Sequence, residues 1–245
     1  MMTQDARDHF TAQRVKKDAL CSALGGEDRA ADSPCLTVVY YNLDQQMFDG
    51  DLDDSVEQRT FARLRSACLQ QRYRQSHLAK RAILATYLRI APSTLRFLRH
   101  PRGKPYLANA SLHFNLSHAN GYFVIAICSN DVGIDCECVA DGVDVAALAA
   151  VVAHPRETIS GIWAFYRTWA RKEAVLKQLG DGLSRDPTSF AVPNTAHCQT
   201  DWSVVTLETE PLRCRYVRDI AAPHQMVAAI ALAQPMRVRL FELVA

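Results

Sequence analysis

The sequence predicts an α+β fold made of two similar halves that meet near residue 130. Two observations carry this. Apolar runs rich in Val, Ile, Tyr and Phe alternate with stretches of helical periodicity, in the order strand, helices, strands, then helices, strands. The composition also suits a globular chain with a sizeable core, at 245 residues, 49% hydrophobic and 22% charged. The expected organisation is a peripheral segment over residues 1–34, a first half over 35–130 and a second half over 131–245.

The elements follow in order. A polar start leads into GGEDRAADSP, which reads as a linker, and LTVVYY (Leu36–Tyr41) is the first strand. DQQMFDGDLDD reads as an acidic loop. Phe61, Leu64, Cys68, Leu78, Ile83, Leu84 and Leu88 mark a helical region over about 57–89, and Pro92 ends it. That region is basic, with Arg63, Arg65, Arg72, Arg74, Lys80 and Arg81. LRFLRH reads as a strand and PRGKP as a turn. The strands SLHFNLSH, YFVIAICS and DVGIDCECV are separated by the turn signals Asn120-Gly121 and Asn130-Asp131. The strongest helix spans about Thr158 to Leu179, with Gly180 placed to cap it. SVVTLET, PLRCRYV, HQMVAAIALA and MRVRLFEL then read as strands.

Several function classes are excluded at this stage. A net charge of +2 does not suit a general nucleic-acid binder, and the eight cysteines contain no CxxC pair. No apolar run approaches the ~20 residues of a membrane span, and MMTQDARDHF lacks the apolar core of a secretory signal. The expectation is a cytoplasmic protein in a reducing compartment.

The candidate chemistry begins at VGIDCECV. Read as a strand, it puts Ile134, Cys136 and Cys138 on one face and Asp135, Glu137 and Val139 on the other. Two carboxylates side by side repel and are costly to desolvate, so the face is either solvent-exposed or holds a cation. In IWAFYRTWARKEAVLKQLGDGL, Ile162, Phe165, Trp169 and Leu176 form an apolar stripe, and Glu173 lies about 40° from Trp169, at its edge. Glu173 either pairs with Lys177 one turn on, or points inward to the cation of Asp135 and Glu137. Three carboxylates suit a hard cation such as Mg²⁺, and Lys172 and Lys177 would flank a bound phosphate. Gly103-Lys104-Pro105 follows Arg99 and Arg102, and FNLSH ends a strand with Asn115, Ser117 and His118, all able to donate to phosphate oxygens.

Taken in order, GKP, FNLSH, GIDCE and WARKEAVLK resemble the 4'-phosphopantetheinyl transferases of the surfactin-synthetase-activating (Sfp-like) type, over roughly residues 36–240. The resemblance implies two pseudo-symmetric α/β halves with the active site in the cleft between them. It implies transfer of the phosphopantetheine arm of coenzyme A to a serine of an apo acyl, peptidyl or aryl carrier protein, with 3',5'-ADP leaving. Asp135, Glu137 and Glu173 match the Mg²⁺ ligands, with Mn²⁺ an alternative. Glu173 matches the general base, and Lys177 is placed to neutralise or protonate the leaving phosphate. The coenzyme A set is Arg72, Arg99, Arg102, Gly103, Lys104, Asn115, Ser117, His118, Asp135, Lys172 and Lys177. Within it, Lys104, Ser117 and His118 match residues near the nucleotide phosphates. A monomer with no nucleic-acid or membrane partner is expected. Two other readings stay open: a Mg²⁺-dependent nuclease, and a non-catalytic module that binds coenzyme A or a carrier.

Overall fold

The computed structural model describes residues 11–25, 35–52, 54–108, 111–195, 197–207, 213–223 and 225–245. Its elements are β1 (Gln13–Lys16), α1 (Leu20–Gly25), β2 (Cys35–Asn42), α2 (Ser55–Arg63), α3 (Ala67–Leu88), β3 (Phe97–Arg99), β4 (Pro105–Leu107), β5 (His113–Ala119), β6 (Tyr122–Cys128), β7 (Val132–Cys138), α4 (Val145–Val152), α5 (Ile162–Leu179), β8 (Ser203–Leu207), β9 (Arg213–Ile220), β10 (Met226–Leu232) and β11 (Arg237–Val244). One sheet has the order β1-β11-β2-β6-β5, a second has β7-β10-β9-β8, and β3-β4 form a small ribbon.

Hydrophobic patterning explains the layering. β2 and β10 are buried almost end to end, as strands covered on both faces must be. Alternate residues of β2 (Leu36, Val38, Tyr40) and β6 (Val124, Ala126, Cys128) face Ile134 and Cys136 of β7 and Ala228 and Ile230 of β10, forming a core between the two sheets. The opposite face of the first sheet packs Val39, Tyr41, Phe123 and Ile125 against Ala79, Ile83 and Leu84 of α3. The opposite face of the second packs Val227, Ala229 and Ala231 against Ala170, Ala174 and Val175 of α5. The molecule is therefore helix, sheet, sheet, helix, with one helix–sheet pair for each half of the α+β fold.

Three expectations need correction. Residues 11–25, expected to be peripheral, enter the core. β1 pairs in parallel with β11, and Leu20 and Leu24 are buried among the side chains around α3. The signal was weak because β1 is an edge strand with only Val15 buried. The rest of the supposed extension, residues 1–10 and 26–34, lies outside the described residues. Second, β11 belongs in sequence to the second half but lies between β1 and β2 in the first sheet, parallel to β2. Third, the helical region over 57–89 is two helices. Asp54 caps α2 through Val56 N and Glu57 N, and Ser66 caps α3 through Leu69 N, so a new helix starts where the periodicity alone runs on. Gly180 sits at φ +74° and ends α5 as expected, its N–H donating to Leu176 O and Lys177 O.

Candidate active site

β7 and α5 meet at a glycine. A Cβ on Gly133 would lie 1.9 Å from Ala174 O and 2.4 Å from Gln178 N, so only glycine admits this approach. The contact sets the acids of β7 beside one face of α5. There, a pocket of about 400 Å³ is lined by Ser117, His118, Asp135, Glu137, Trp169, Glu173 and Lys177, among others. The expected alternation along VGIDCECV is what the strand shows: Ile134 and Cys136 enter the core between the sheets while Asp135 and Glu137 face the pocket.

Lys177 Nζ donates to Asp135 Oδ1 at 2.6 Å and to Ser117 Oγ at 3.2 Å, and Ser117 Oγ donates to the same Oδ1 at 2.8 Å. The Trp169 indole donates to Glu137 Oε1 at 3.0 Å. Asp135 Oδ2 and Glu173 Oε1 are buried without a hydrogen-bond partner, although Asp135 is only 3% exposed. The helix ion pair between Glu173 and Lys177 is thus not formed, and Lys177 crosses to Asp135 instead.

The electrostatics match this geometry. Burial pushes the Asp135 carboxyl up, against the opposing pull of Lys177 and Ser117. Burial and the neighbouring Asp135 charge push Glu137 up to about 7. Burial also raises Glu173, with Lys177 lowering it and Asp135 raising it further. His118, tilted against the Phe123 ring, is pushed down to about 4 by burial and by the Lys177 charge. Three carboxylates share one ammonium, and each is short of positive charge. Two of them carry a buried, unpartnered oxygen on a residue that lines the pocket, and the ligating atoms on offer are all hard oxygens, which fits a divalent cation such as Mg²⁺. Among the described residues no three acidic, cysteine or histidine side chains stand close enough to grip a metal as they are. Lys177 and Trp169 hold two of the carboxylates.

The other sequence-predicted residues are distributed differently. Lys172 is fully buried and leaves the pocket: its ammonium pairs with Glu157 at 3.0 Å and donates to Pro187 O and Phe190 O. Its neighbour Arg171 is likewise buried and clamps Asp219. The wheel that turns Glu173 and Lys177 to the pocket turns Arg171 and Lys172 away from it. Asn115 is not among the residues that line this pocket; its Oδ1 accepts from Ile134 N at 2.9 Å and braces β5 to β7. Lys104, grouped by sequence with Ser117 and His118, separates from them. It donates to Val132 O and Gln178 O in a neighbouring pocket, also of about 400 Å³, at the end of α5. Arg102 lines that second pocket and pairs with Asp181. Gly103 turns at φ +89°, and Arg99 donates to its carbonyl at 3.1 Å. Arg72 makes a bidentate pair with Asp44 on the surface.

Sequence reasoning passed over Trp169 as a site residue because it counted toward the apolar stripe; its place one turn before Glu173 was the available signal. It also missed Glu57, His77 and Lys80, which form a buried cluster between α2 and α3.

Family comparisons align with this architecture. Residues 54–130 match the model of the 4'-phosphopantetheinyl transferase N-terminal domain, and residues 131–231 match that of the 4'-phosphopantetheinyl transferase superfamily. The chain is 33% identical over 148 residues to the 4'-phosphopantetheinyl transferase HetI of Nostoc sp., covering 52% of this chain and 61% of that protein. It is 34% identical over 111 residues to a 4'-phosphopantetheinyl transferase of Bacillus subtilis, covering 41% and 48%. It is 30% identical over 155 residues to the 4'-phosphopantetheinyl transferase AcpT of Escherichia coli K12, covering 56% and 76%. The chain thus spans about half to three-fifths of the length of the first two of these relatives. The boundary between the matched regions falls at residue 130, where β6 gives way to β7, and together they cover most of the chain: it belongs to the 4'-phosphopantetheinyl transferase superfamily.

Proposed function

We propose that this chain transfers the 4'-phosphopantetheine arm of coenzyme A to a serine of an apo acyl, peptidyl or aryl carrier protein, releasing holo carrier and 3',5'-ADP. The observation that carries the reading is the pair of buried, unpartnered carboxylate oxygens on Asp135 and Glu173, two residues that line one pocket together with Lys177. Asp135, Glu137 and Glu173 would hold a divalent cation, Mg²⁺ or Mn²⁺. Such a cation, when bound, screens pyrophosphate charge.

The chain's own residues supply the rest. Glu173, with a free carboxylate oxygen and an affinity for protons raised by burial, accepts the proton of the carrier serine. The serine oxygen bonds to the pantetheine-side phosphorus, and the bond from that phosphorus to the bridging oxygen breaks. The electron pair leaves with 3',5'-ADP, toward which the Lys177 ammonium donates. His118, neutral near pH 7, serves as a hydrogen-bonding group rather than a charge. Lys104 and Arg102, in the neighbouring pocket, extend the basic track available to a nucleotide. The reading takes the enzyme as a cytoplasmic monomer; among the described residues, no helix is long and apolar enough to cross a membrane.

The test is mass spectrometry of apo carriers incubated with coenzyme A and Mg²⁺. A gain of one phosphopantetheine arm on the carrier serine is expected. It should fall at least about a hundredfold in rate for Asp135→Asn, equivalent to about 3 kcal/mol of transition-state stabilisation. Near-normal transfer by Asp135→Asn would remove the cation assignment. Cleavage of DNA in place of coenzyme A turnover would favour the nuclease reading.

A further inference from the structure

The acid cluster holds a positive charge of its own. Lys177 Nζ sits 2.6 Å from Asp135 Oδ1 and 3.2 Å from Ser117 Oγ, so an ammonium occupies one oxygen of a carboxylate that a cation would need. It is an imperfect replacement. One ammonium serves three carboxylates, and it leaves Asp135 Oδ2 and Glu173 Oε1 without partners. The lysine is also the more exposed member of the pair, with its side chain 26% exposed against 4% for Asp135. A divalent cation held by Asp135 would share that carboxylate with Nζ. Two positive centres that share one carboxylate repel each other.

We propose that Lys177 is an exchangeable stand-in for the divalent cation. It fills the acid cluster when no cation is bound and is expelled from Asp135 when one binds, which frees its ammonium for the substrate phosphates at the pocket mouth. This rests on the cation-dependent transferase reading above and adds to it a coupling: cation binding and release of Lys177 are one event. The ammonium and the cation therefore compete, and neither arrangement leaves the cluster empty. The competition restrains the three carboxylates from opening in the cation-free protein, and it lowers cation affinity until substrate phosphates reward the freed lysine.

Two measurements on the full chain with Mg²⁺ alone, without coenzyme A, test this. Trp169 donates to Glu137, so its fluorescence reports events in the cluster, and Trp169→Phe identifies its share of the signal. In a fluorescence titration, Lys177→Met should bind Mg²⁺ about tenfold or more tightly than the wild type, because the competitor is gone. In the wild-type protein, acylation of Lys177 by an amine-reactive ester, followed by peptide mass spectrometry, should rise several-fold on adding Mg²⁺, while exposed lysines such as Lys17 keep their rates. The second measurement needs no variant and decides the matter if Lys177→Met does not fold. Equal Mg²⁺ affinities in the two proteins, or Lys177 labelling that does not rise with Mg²⁺, overturn the exchange while leaving the transferase reading intact. Absence of any Mg²⁺ binding in both proteins overturns the exchange and the cation-dependent reading together.

Discussion

Glu173 is the residue at which two physical readings of the sequence part. A helix ion pair with Lys177 would make it worth at most ~0.5 kcal/mol to stability and nothing to turnover. The structure instead leaves its Oε1 buried and unpartnered, with burial raising its proton affinity. A group whose folded pKa lies above its unfolded value, when it is an acid, destabilises the fold at every pH where it is ionised. Glu173→Gln should therefore abolish transfer while keeping coenzyme A binding, and its thermal midpoint near pH 8 should equal or exceed that of the wild type. Turnover and unfolding measured on the same sample check both halves. A lower midpoint with intact turnover would restore the ion-pair reading. Asp135 and Glu137 were legible in the sequence because period two puts neighbouring acids on one face. Lys172 misled because adjacency along a helix means about 100° of separation around it.

At the scale of elements, α5 works on two fronts. Its pocket face carries Trp169, Glu173 and Lys177, and its opposite side carries Arg171 and Lys172, which fasten the segment over residues 187–199 to the helix. Lys172→Ala would leave Glu157 charged and buried, a loss of about 3–5 kcal/mol. Glu157 has bonds of its own to His154 N and Val192 N, so the local loop geometry would loosen with it. In protein that remains folded, the Michaelis constant for coenzyme A should stay near that of the wild type; a rise of tenfold or more would return Lys172 to the coenzyme A site. The helices of the first half show a related device. Although burial pushes Glu57 of α2 up, the hydrogen bond from His77 and the charge of Lys80 hold it at about 2. An acid with a depressed folded pKa lends stability that is full above its unfolded value, about 4.5, and lost as pH falls toward 2. His77, held below its usual value by burial, adds a loss in the same direction as pH falls below about 6.5. Thermal unfolding from pH 7 to pH 3 should show Glu57→Gln well below the wild type at neutral pH, with the gap narrowing below about pH 4.5. A gap that is constant across that range would mean the pairing carries no titrating stability. The cluster was invisible in the sequence because Glu57 lies on a different helix from His77 and Lys80, and each reads alone as a solvated helix residue.

At the scale of the molecule, the two halves seen in the sequence are real as helix–sheet pairs but not as separable bodies. The strand pattern and the long helices were legible because burial on one or both faces leaves a period in the residues. The pairing of β11 with β1 and β2 was not, since pairing across most of the chain leaves no local trace. β11 shows what this costs in time. It lies between β1 and β2, hydrogen-bonded to both, and buries Phe241 and Leu243 in the first core. During synthesis, residues 35–130 leave the ribosome long before residues 237–244 do, so β2 waits with one apolar edge open. The first sheet lacks β11 until residues 237–244 emerge, and an open edge of that kind is a site for pairing with another molecule. Residues 1–130 and 131–245 made as separate polypeptides should each fail to fold and should recover structure only when mixed, as judged by circular dichroism. A soluble, cooperatively unfolding fragment of residues 1–130 alone would contradict this. Because residues 237–244 complete the sheet built on β2, a premature stop before residue 237 removes the first half as surely as it removes that strand.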